Sequence, residues 1–448
     1  MIAAMLLLAA CDKSAGTAQK ARIYVSCDVS GRIEPCGCFT GQLGGLTRLK
    51  TLLDDDPEPS LRVDVGDALA GMQDYEVMQY RHVLRAFGAL GYHAANAGPR
   101  EAALDAATLA ACAKDSPVPI LSANLLDAKT RLPVLRPWLR EKVGGVSYGI
   151  IGIVDAPSIP EGGLGSGLEV ADAASTIQAL LPEVRRAADV VVLLAFATEE
   201  RMQALAAQFF EIHVILGGDV SQPSQDLIHA NRSLLLATTN QGRAIGFIEA
   251  ALTEGKLVRP LHAIKMLYEQ VPQNQGIAGV AKNYRNEVRT AALRVDDPDR
   301  VGANDVPGVR QLAAYVGSEA CAACHAADYA IWKNSGHARA WQSLVHRESD
   351  ADPSCIGCHS VGFGTPSGYR RAFQGSKLVD VGCESCHGPG GRHVVERASG
   401  TASTSHFRPL GAGDCIQCHH GEFSRPFDYA EFWKHIKHGP KAGTASEP

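Results

Sequence analysis

The sequence predicts two structural classes in one chain: an α/β sandwich with a mixed sheet, followed by a mainly α, loop-rich module of short helices. Three observations carry this. From Ala21 to about Ile264, short apolar runs alternate with amphipathic stretches, the pattern of strands and helices sharing a layered core. From Leu312 onward the texture changes to Gly- and Pro-punctuated loops around a five-residue motif that recurs four times. The 448 residues, 46% hydrophobic and 20% charged, suffice for two or three domains with a real core.

The elements follow in order. The opening MIAAMLLLAACDKS is an apolar run ending in Leu8-Ala9-Ala10-Cys11. It resembles a bacterial lipoprotein leader, with Cys11 as the lipidated first residue and 1–20 as signal and tether. No other run is long and apolar enough to span a bilayer. Within 21–265, ARIYVSC, LRVDVG, VPILSAN, VSYGIIGIV, DVVVLLAF and IHVILGG read as buried strands. GGLTRLKTLLDD, DAASTIQALLPEVRRA and EERMQALAAQFF carry helical spacing, with Asp172 placed as an N-cap. Gly144-Gly145 marks a hairpin. Residues 266–311 hold a bridging helix, with Ile277, Val280, Ala281, Tyr284, Val288 and Ala292 on one face, and then a polar linker. The last module spans 312–448.

That module carries Cys321/Cys324/His325, Cys355/Cys358/His359, Cys383/Cys386/His387 and Cys415/Cys418/His419, four copies of Cys-x-x-Cys-His. Two thiols so spaced add to the vinyl groups of a porphyrin, and the adjoining imidazole binds the iron from one face. A zinc ribbon pairs Cys-x-x-Cys motifs but has no use for a histidine after each. Four covalently bound c-type haems are therefore expected, together with the export that such attachment requires. Apolar side chains are too sparse there for a conventional core, so porphyrins are expected to supply most of the buried apolar surface.

The opposite face of each iron needs its own account. All six methionines precede this module, which leaves histidine, water or nothing as the distal ligand. Removing the four proximal residues leaves His337, His346, His393, His406, His420, His435 and His438. His337 would stand roughly 18 Å along a helix from His325, so it should reach a neighbouring haem.

YVGSEACAACH, SGHARAWQSL, CIGCHSVGF, VGCESCHGPGGRH, CIQCHH and FWKHIKH, in that order over residues 314–438, resemble the tetrahaem cytochrome c-554 family. The resemblance implies His337, His393 and His438 as distal ligands, with His435 competing for the last position. It leaves a fourth iron open or served by His346, His406 or His420.

The first half resembles the metallophosphoesterase and 5'-nucleotidase family, whose members hold two metal ions at strand ends and make a hydroxide nucleophile between them. Asp28 and Asp67 match two aspartate ligands of that family. At its other ligand positions stand Ser30, Pro99, Arg100, Phe196, Asp219 and Ser221. Proline, phenylalanine and serine cannot replace imidazole, and Arg100 repels a cation. A residual site for one hard cation would use Asp28 and Asp67, with Asp219. Beside them Cys27, Cys36 and Cys38 form a candidate thiol site, with a disulfide, a soft metal or a redox thiol all admissible. Cys112 reads as buried and inert.

The functional expectation is an exported, lipid-anchored electron carrier. Its phosphoesterase-like domain has lost most metal ligands and serves as scaffold or partner surface. The alternative is a redox enzyme acting on a small nitrogen or sulfur compound, at an open haem or at the cysteine loop. Phosphate-ester hydrolysis comes third. Partners are redox proteins and, through Cys11, a periplasmic or extracytoplasmic membrane surface. A net charge of -5, before any haem propionates, speaks against nucleic acid.

Overall fold

The computed structural model describes residues 19–35, 42–239, 241–291, 293, 314–365, 367–370, 376–402, 410–420 and 427–439. Cys11, Cys36, Cys38, Ala292 and His406 lie outside the described residues.

Two six-stranded sheets form the first part, and each is mixed. The first contains β1 (Gln19–Ser26), β2 (Leu61–Asp64), β3 (Ala94–Asn96) and β4 (Ile120–Leu121), with a small β5 (Leu125–Asp127) outside it. The second is built on β6 (Trp138–Val143), β7 (Val146–Val154), β9 (Val190–Phe196) and β10 (Val214–Gly217), with β8 (Leu168–Val170) pairing back to β5. β11 (Ile228–Ala230) and β12 (Ser233–Ala237) complete the second sheet, while β13 (Ala244–Thr253) and β14 (Lys256–Met266) return to the edge of the first. Strand order is β14-β13-β1-β2-β3-β4 and β11-β12-β10-β9-β7-β6.

Side-chain alternation shows why the sheets stack. In β9, Val190, Val192 and Leu194 join the core between the sheets, whereas Val191, Leu193 and Ala195 join a second cluster under helices. A strand covered on both faces must be apolar at every position, which is why VVVLLAF reads so plainly in the sequence.

Seven helices of this part are described: α1 (Leu46–Asp54), α2 (Asp74–Leu90), α3 (Pro99–Ala102), α4 (Ala106–Asp115), α5 (Ala173–Ala187), α6 (Glu199–Gln208) and α7 (Gln275–Thr290). The expected Asp172 cap is present, accepting from Ser175 N at 2.8 Å. The hairpin at Gly144-Gly145 is also present, both residues at positive φ. α2 is not among the segments expected above. Its Tyr80, Val83, Leu84, Phe87 and Leu90 are buried at helical spacing, and Gln73 with Glu76 forms a capping box at its start. The β13–β14 hairpin was also absent from that reading; its turn at Glu254-Gly255 has positive φ at both residues, and while β13 is largely buried and apolar, β14 is more exposed and carries polar side chains.

Two buried amides staple the sheets. Asn96 Nδ2 donates to Val65 O and Ile153 O, both at 2.9 Å. Asn124 Nδ2 donates to Val154 O at 2.7 Å and to Ala171 O at 3.1 Å. A buried amide left without partners costs a few kcal/mol, so these bonds fix the relative position of the layers.

α7 buries Ile277, Ala281, Tyr284 and Val288 and packs against α1 and α2. Past the linker come α8 (Ser318–Ala322), α9 (Ala326–Lys333), α10 (Ala340–His346) and α11 (Pro353–His359), then α12 (Cys383–His387), α13 (Gly391–Ala398), α14 (Ala412–Cys415) and α15 (Tyr429–Trp433). Their apolar cluster is small: Ile356, Val361, Tyr369 and Leu378.

The strand ends that carry the candidate site depend on two glycines touching backbone to backbone. Gly66 has φ +130, and a Cβ there would lie 2.6 Å from Gly98 N. Gly66→Ala should therefore cost about 2–4 kcal/mol in chemical denaturation. At Gly91, also at positive φ, only the flexible end of Arg62 is near, at 3.3 Å, and alanine there should cost only about 1 kcal/mol.

Candidate functional site

The C-terminal ends of the parallel strands gather Asp28 after β1, Asp67 after β2, Arg100 in α3, Phe196 at the end of β9, and Asp219 beyond β10. Sites in α/β sheets collect at such ends. Asp28, Ser30 and Asp67 all have positive φ, at 53, 51 and 58°. Three non-glycine residues in the left-handed region at one corner represent stored strain, of the kind found at functional sites.

At the centre of this corner lies a guanidinium. Arg100 Nη1 is 3.1 Å from Asp28 Oδ1, and Arg100 Nε is 3.6 Å from Asp67 Oδ2. The same Nη1 donates to Ser30 Oγ and, at 3.3 Å, to Leu69 O. Asp67 Oδ1 also accepts from the Arg100 backbone N–H at 2.9 Å. Ser30 Oγ donates to Asp28 Oδ1 at 2.6 Å, and Thr239 Oγ1 to Asp28 Oδ2 at 3.3 Å. Asp219 turns elsewhere, accepting from Ser158 Oγ at 2.7 Å. Among the described residues, no group of three or more His, Cys, Asp or Glu is arranged to hold a metal ion.

A carboxylate that the sequence reading did not single out organises the floor. Glu101 is fully buried and accepts from the backbone N–H groups of Leu69, Asp67 and Gly98 at 2.8–2.9 Å. Burial, reinforced by the nearby Glu101 charge, pushes the Asp67 carboxyl up to about 7. The signal for Glu101 was its place beside Arg100 in NAGPRE. Cys27 is buried, its Sγ 3.5 Å from Gly66 O. Burial, then the surrounding carboxylates Asp64, Asp67, Asp28 and Glu101, hold its thiol well above the ordinary range, which suits a packing role better than a reactive thiolate. Cys112 is buried as expected.

In the last module each Cys-x-x-Cys-His stretch occupies a tight helical turn, with His325 N bonded to Cys321 O and His419 N to Cys415 O, both at 2.9 Å. The turns put both thiols and the imidazole of each motif on one short piece of backbone. Cysteines from different motifs meet: Cys321 lies beside Cys383, and Cys418 beside Cys358. Buried Glu384 ties the first and third motifs, accepting from Val316, Gly317 and Gly390 N–H groups at 2.7–3.1 Å.

The imidazoles fall into pairs. Ring centroids are 6.1 Å apart for His325 and His393, 6.1 Å for His337 and His419, and 5.7 Å for His387 and His438. Two imidazoles on opposite faces of one metal, each at roughly 2 Å through nitrogen, place their centroids about 6 Å apart. The donor set therefore fits the haem that the motifs imply. His438 Nδ1 donates to Ile436 O at 2.6 Å and His359 Nδ1 to Ala340 O at 2.7 Å. Both partners are carbonyls, which only accept, so in each ring Nε2 is the nitrogen left for a metal.

His337 pairs with His419, from the fourth motif, and so does reach away from its own motif. Among the described residues no aromatic ring is paired with His359. Of the other candidates, His346 Nε2 lies 3.5 Å from Gln342 Nε2, and His435 has a backbone bond to Phe432 O.

The two parts meet at α7 and the start of α11. Tyr284 Oη donates to Asp352 Oδ1 at 3.5 Å, Lys282 pairs with Glu348 at 3.1 Å and Arg289 with Asp350 at 2.8 Å. Asp352 is the N-cap of α11, accepting from Ser354 N. A cavity of about 650 Å3 opens at this junction, and its walls include Ser30, Arg100, Tyr75, Tyr284, Asp352 and Cys355. The sequence reading missed this junction, although Asp352-Pro353 is a recognisable helix start.

Residues 320–388, which contain the first three motifs, match the family model described as "Cytochrome c554 and c-prime". Cytochrome c-554 of Nitrosomonas europaea is 38% identical over 93 residues, 17% of this chain and 40% of that protein. The C-terminal module is cytochrome c-554-like. The chain spans about 40% of that relative's length.

The fold ahead of the cytochrome c-554-like module is that of the phosphoesterases. A 5'-nucleotidase precursor from Thermus thermophilus is 20% identical with a TM-score of 0.51, over 60% of this chain and 59% of that one. Sulfate thiohydrolase SoxB from the same species gives 16% and 0.53, covering 59% and 60%. The calcineurin-like phosphoesterase YfkN from Bacillus subtilis gives 17% and 0.52, covering 60% and 98%. At these identities the likeness is one of fold.

Arg100 neutralises two carboxylates that would otherwise be buried together. Arg100→Ala should lower the stability of the full chain by about 1–3 kcal/mol in urea denaturation. Asp67→Asn on that background should recover part of the loss, a coupling read from the double-mutant cycle.

Proposed function

We propose that the chain is an exported tetrahaem c-type cytochrome that transfers electrons, organised as 1–20 leader, 21–265 phosphoesterase-like domain, 266–311 bridge and 312–448 cytochrome module. The observation that carries it is the spacing of the three imidazole pairs, close to 6 Å, beside four Cys-x-x-Cys-His turns. The haems would be held by Cys321, Cys324 and His325; by Cys355, Cys358 and His359; by Cys383, Cys386 and His387; and by Cys415, Cys418 and His419. His393, His438 and His337 would serve as distal ligands to the first, third and fourth. Each haem would supply reversible one-electron chemistry. The chain's own task is to fix ring orientation: the Ala340 and Ile436 carbonyls hold His359 and His438 with Nε2 exposed.

The partners that follow from this reading are redox proteins of the periplasmic or extracytoplasmic space, with Cys11 as the membrane tether. No helix among the described residues is long and apolar enough to cross a membrane. For the first domain we favour a scaffold. Arg100 supplies, as a covalently attached guanidinium, the positive charge that a metal ion would bring to Asp28 and Asp67. A hydrolytic role is disfavoured by Pro99, Phe196 and Ser221 at ligand positions of the fold. A second reading, redox chemistry on a small molecule, is favoured by His359, which has no imidazole opposite it among the described residues.

Protein matured with haem-attachment machinery should carry four haems per chain by pyridine haemochrome assay and intact mass. Electron paramagnetic resonance of the oxidised protein should show three low-spin haems and one high-spin haem. His393→Ala should convert one further haem to high spin. Fewer than four haems, or an unchanged spectrum in that variant, would refute the ligand assignment.

A further inference from the structure

We infer that Asp352, held by Tyr284 of the phosphoesterase-like domain, is a proton-binding site linked to reduction of the haem carried at Cys355, so that this haem takes up one proton with its electron. The inference rests on the proposed attachment of that haem.

Asp352 stands at the N-terminal end of α11, the helix that bears the second motif, and is 8% exposed. Its Oδ1 accepts from Ser354 N at 3.0 Å and from Ser354 Oγ at 2.6 Å. That same hydroxyl oxygen is 3.8 Å from Cys355 Sγ. The carboxyl is thus one hydroxyl group away from the sulfur through which the porphyrin would be attached. From the other domain, buried Tyr284 donates through Oη to Asp352 Oδ1 at 3.5 Å. Asp352, Ser354 and Tyr284 all line the junction cavity. At about 650 Å3 it is large enough for water, which needs about 30 Å3 per molecule, so a buried carboxyl here has a route for protons.

The charged and titratable groups around this carboxyl come from several segments. α7 contributes Tyr284 and Arg285, whose guanidinium pairs with Glu34. α2 contributes Tyr75 and Glu76, the phenol donating to the carboxylate at 3.5 Å. Arg347, following α10, and Arg32 and Arg100 complete the charged walls of the cavity. Burial, before any neighbouring acid, pushes both phenols up, so Tyr75 and Tyr284 remain donors. Burial also pushes the Asp352 carboxyl above its ordinary value, against the Ser354 hydrogen bonds and the Arg285 charge that favour ionisation.

A carboxylate beside a haem opposes the incoming electron, because reduction adds negative charge where little water screens it. Protonation removes that opposition. Ferric haem and the Asp352 carboxylate, with one electron from a redox partner and one proton from solvent, become ferrous haem and the Asp352 carboxylic acid. Proton and electron each favour the other by the same factor. As pH rises the potential of this haem therefore falls, and it levels off once the carboxyl is ionised in both oxidation states. Tyr284 acts through Asp352 as a positioning residue, which gives the phosphoesterase-like domain a part in electron transfer.

The test uses the full-length holoprotein in optical redox titrations from about pH 4 to about pH 9, fitted to four one-electron haems, with haem content checked by pyridine haemochrome assay. In wild type one haem should fall in potential as pH rises by about 59 mV in all, a tenfold change in its reduction equilibrium. Asp352→Asn keeps a helix cap and should abolish the fall, leaving that haem at its higher, low-pH potential throughout. Tyr284→Phe should move the fall to higher pH, because a carboxylate that loses a donor is protonated more readily. A merely structural loss at the junction would shift potentials without changing their pH dependence. If the fall persists in Asp352→Asn to within about twofold in that equilibrium, a porphyrin carboxylate binds the proton and the inference is overturned. If Asp352→Asn abolishes the fall but Tyr284→Phe leaves its pH unchanged, the part assigned to the first domain is overturned. Tyr284→Phe decides the matter by itself should Asp352→Asn fail to fold. Four haems with no pH-dependent potential would overturn this inference alone, whereas fewer than four in wild type would overturn the tetrahaem reading and the inference with it.

Discussion

The last module is tied together by one recurring contact: imidazoles from segments far apart in sequence meet in pairs, about 6 Å between centroids. Among the described residues its apolar cluster has four buried members with Tyr315, Trp341, Phe363 and Val379 packed against them, little to order so long a segment against its conformational entropy. What closes the module is cross-connection. His325 meets His393, His387 meets His438, and His419 meets His337. Each pair joins one motif turn to a helix or tail belonging to another, so the first, third and fourth motifs are positioned together. Glu384, inside the third motif, binds backbone N–H groups before the first motif and after its own, adding a buried polar tie where hydrophobic packing is thin.

The first module solves a related problem by the opposite means. Its core is large, and the central strands of its two sheets are buried, so the strand ends can carry strained, charged residues. Two aspartates at a buried corner repel each other and resist losing their hydration. In a metal-bearing phosphoesterase that burden is relieved by cations; here a guanidinium from α3 occupies the position between them. The exchange is possible because Gly66 and Gly98 let two backbones touch, which brings Arg100 within reach of both carboxylates. The corner is a fixed ion-pair network of Arg100 with Asp28 and Asp67.

The junction connects these two arrangements. α7 packs on α1 and α2 and also presents Tyr284, Lys282 and Arg289 to the loop that starts α11. Asp352, which Tyr284 of α7 contacts, caps the helix bearing Cys355 and His359, so α7 touches the backbone of the second motif. The cavity of about 650 Å3 lies between the Arg100 corner and that same motif, so both modules contribute to its walls.

Much of this was legible beforehand, for local reasons. Buried parallel strands announce themselves as unbroken apolar runs, the Asp172 cap as a short polar residue before a helical pattern, and the motif turns by a fixed spacing of two cysteines and a histidine. α2 and β14 were harder to read, because polar side chains interrupt their apolar periodicity. The sequence by itself determined the four Cys-x-x-Cys-His turns and the α/β class of the first part. Only the tertiary structure decided that His359 stands without a partner imidazole among the described residues, that Arg100 reaches Asp28 and Asp67 together, and that Cys355 shares a cavity with that corner. Spacing along a chain fixes what one turn of backbone can present; contacts between distant segments depend on how whole layers pack, and no local pattern encodes that.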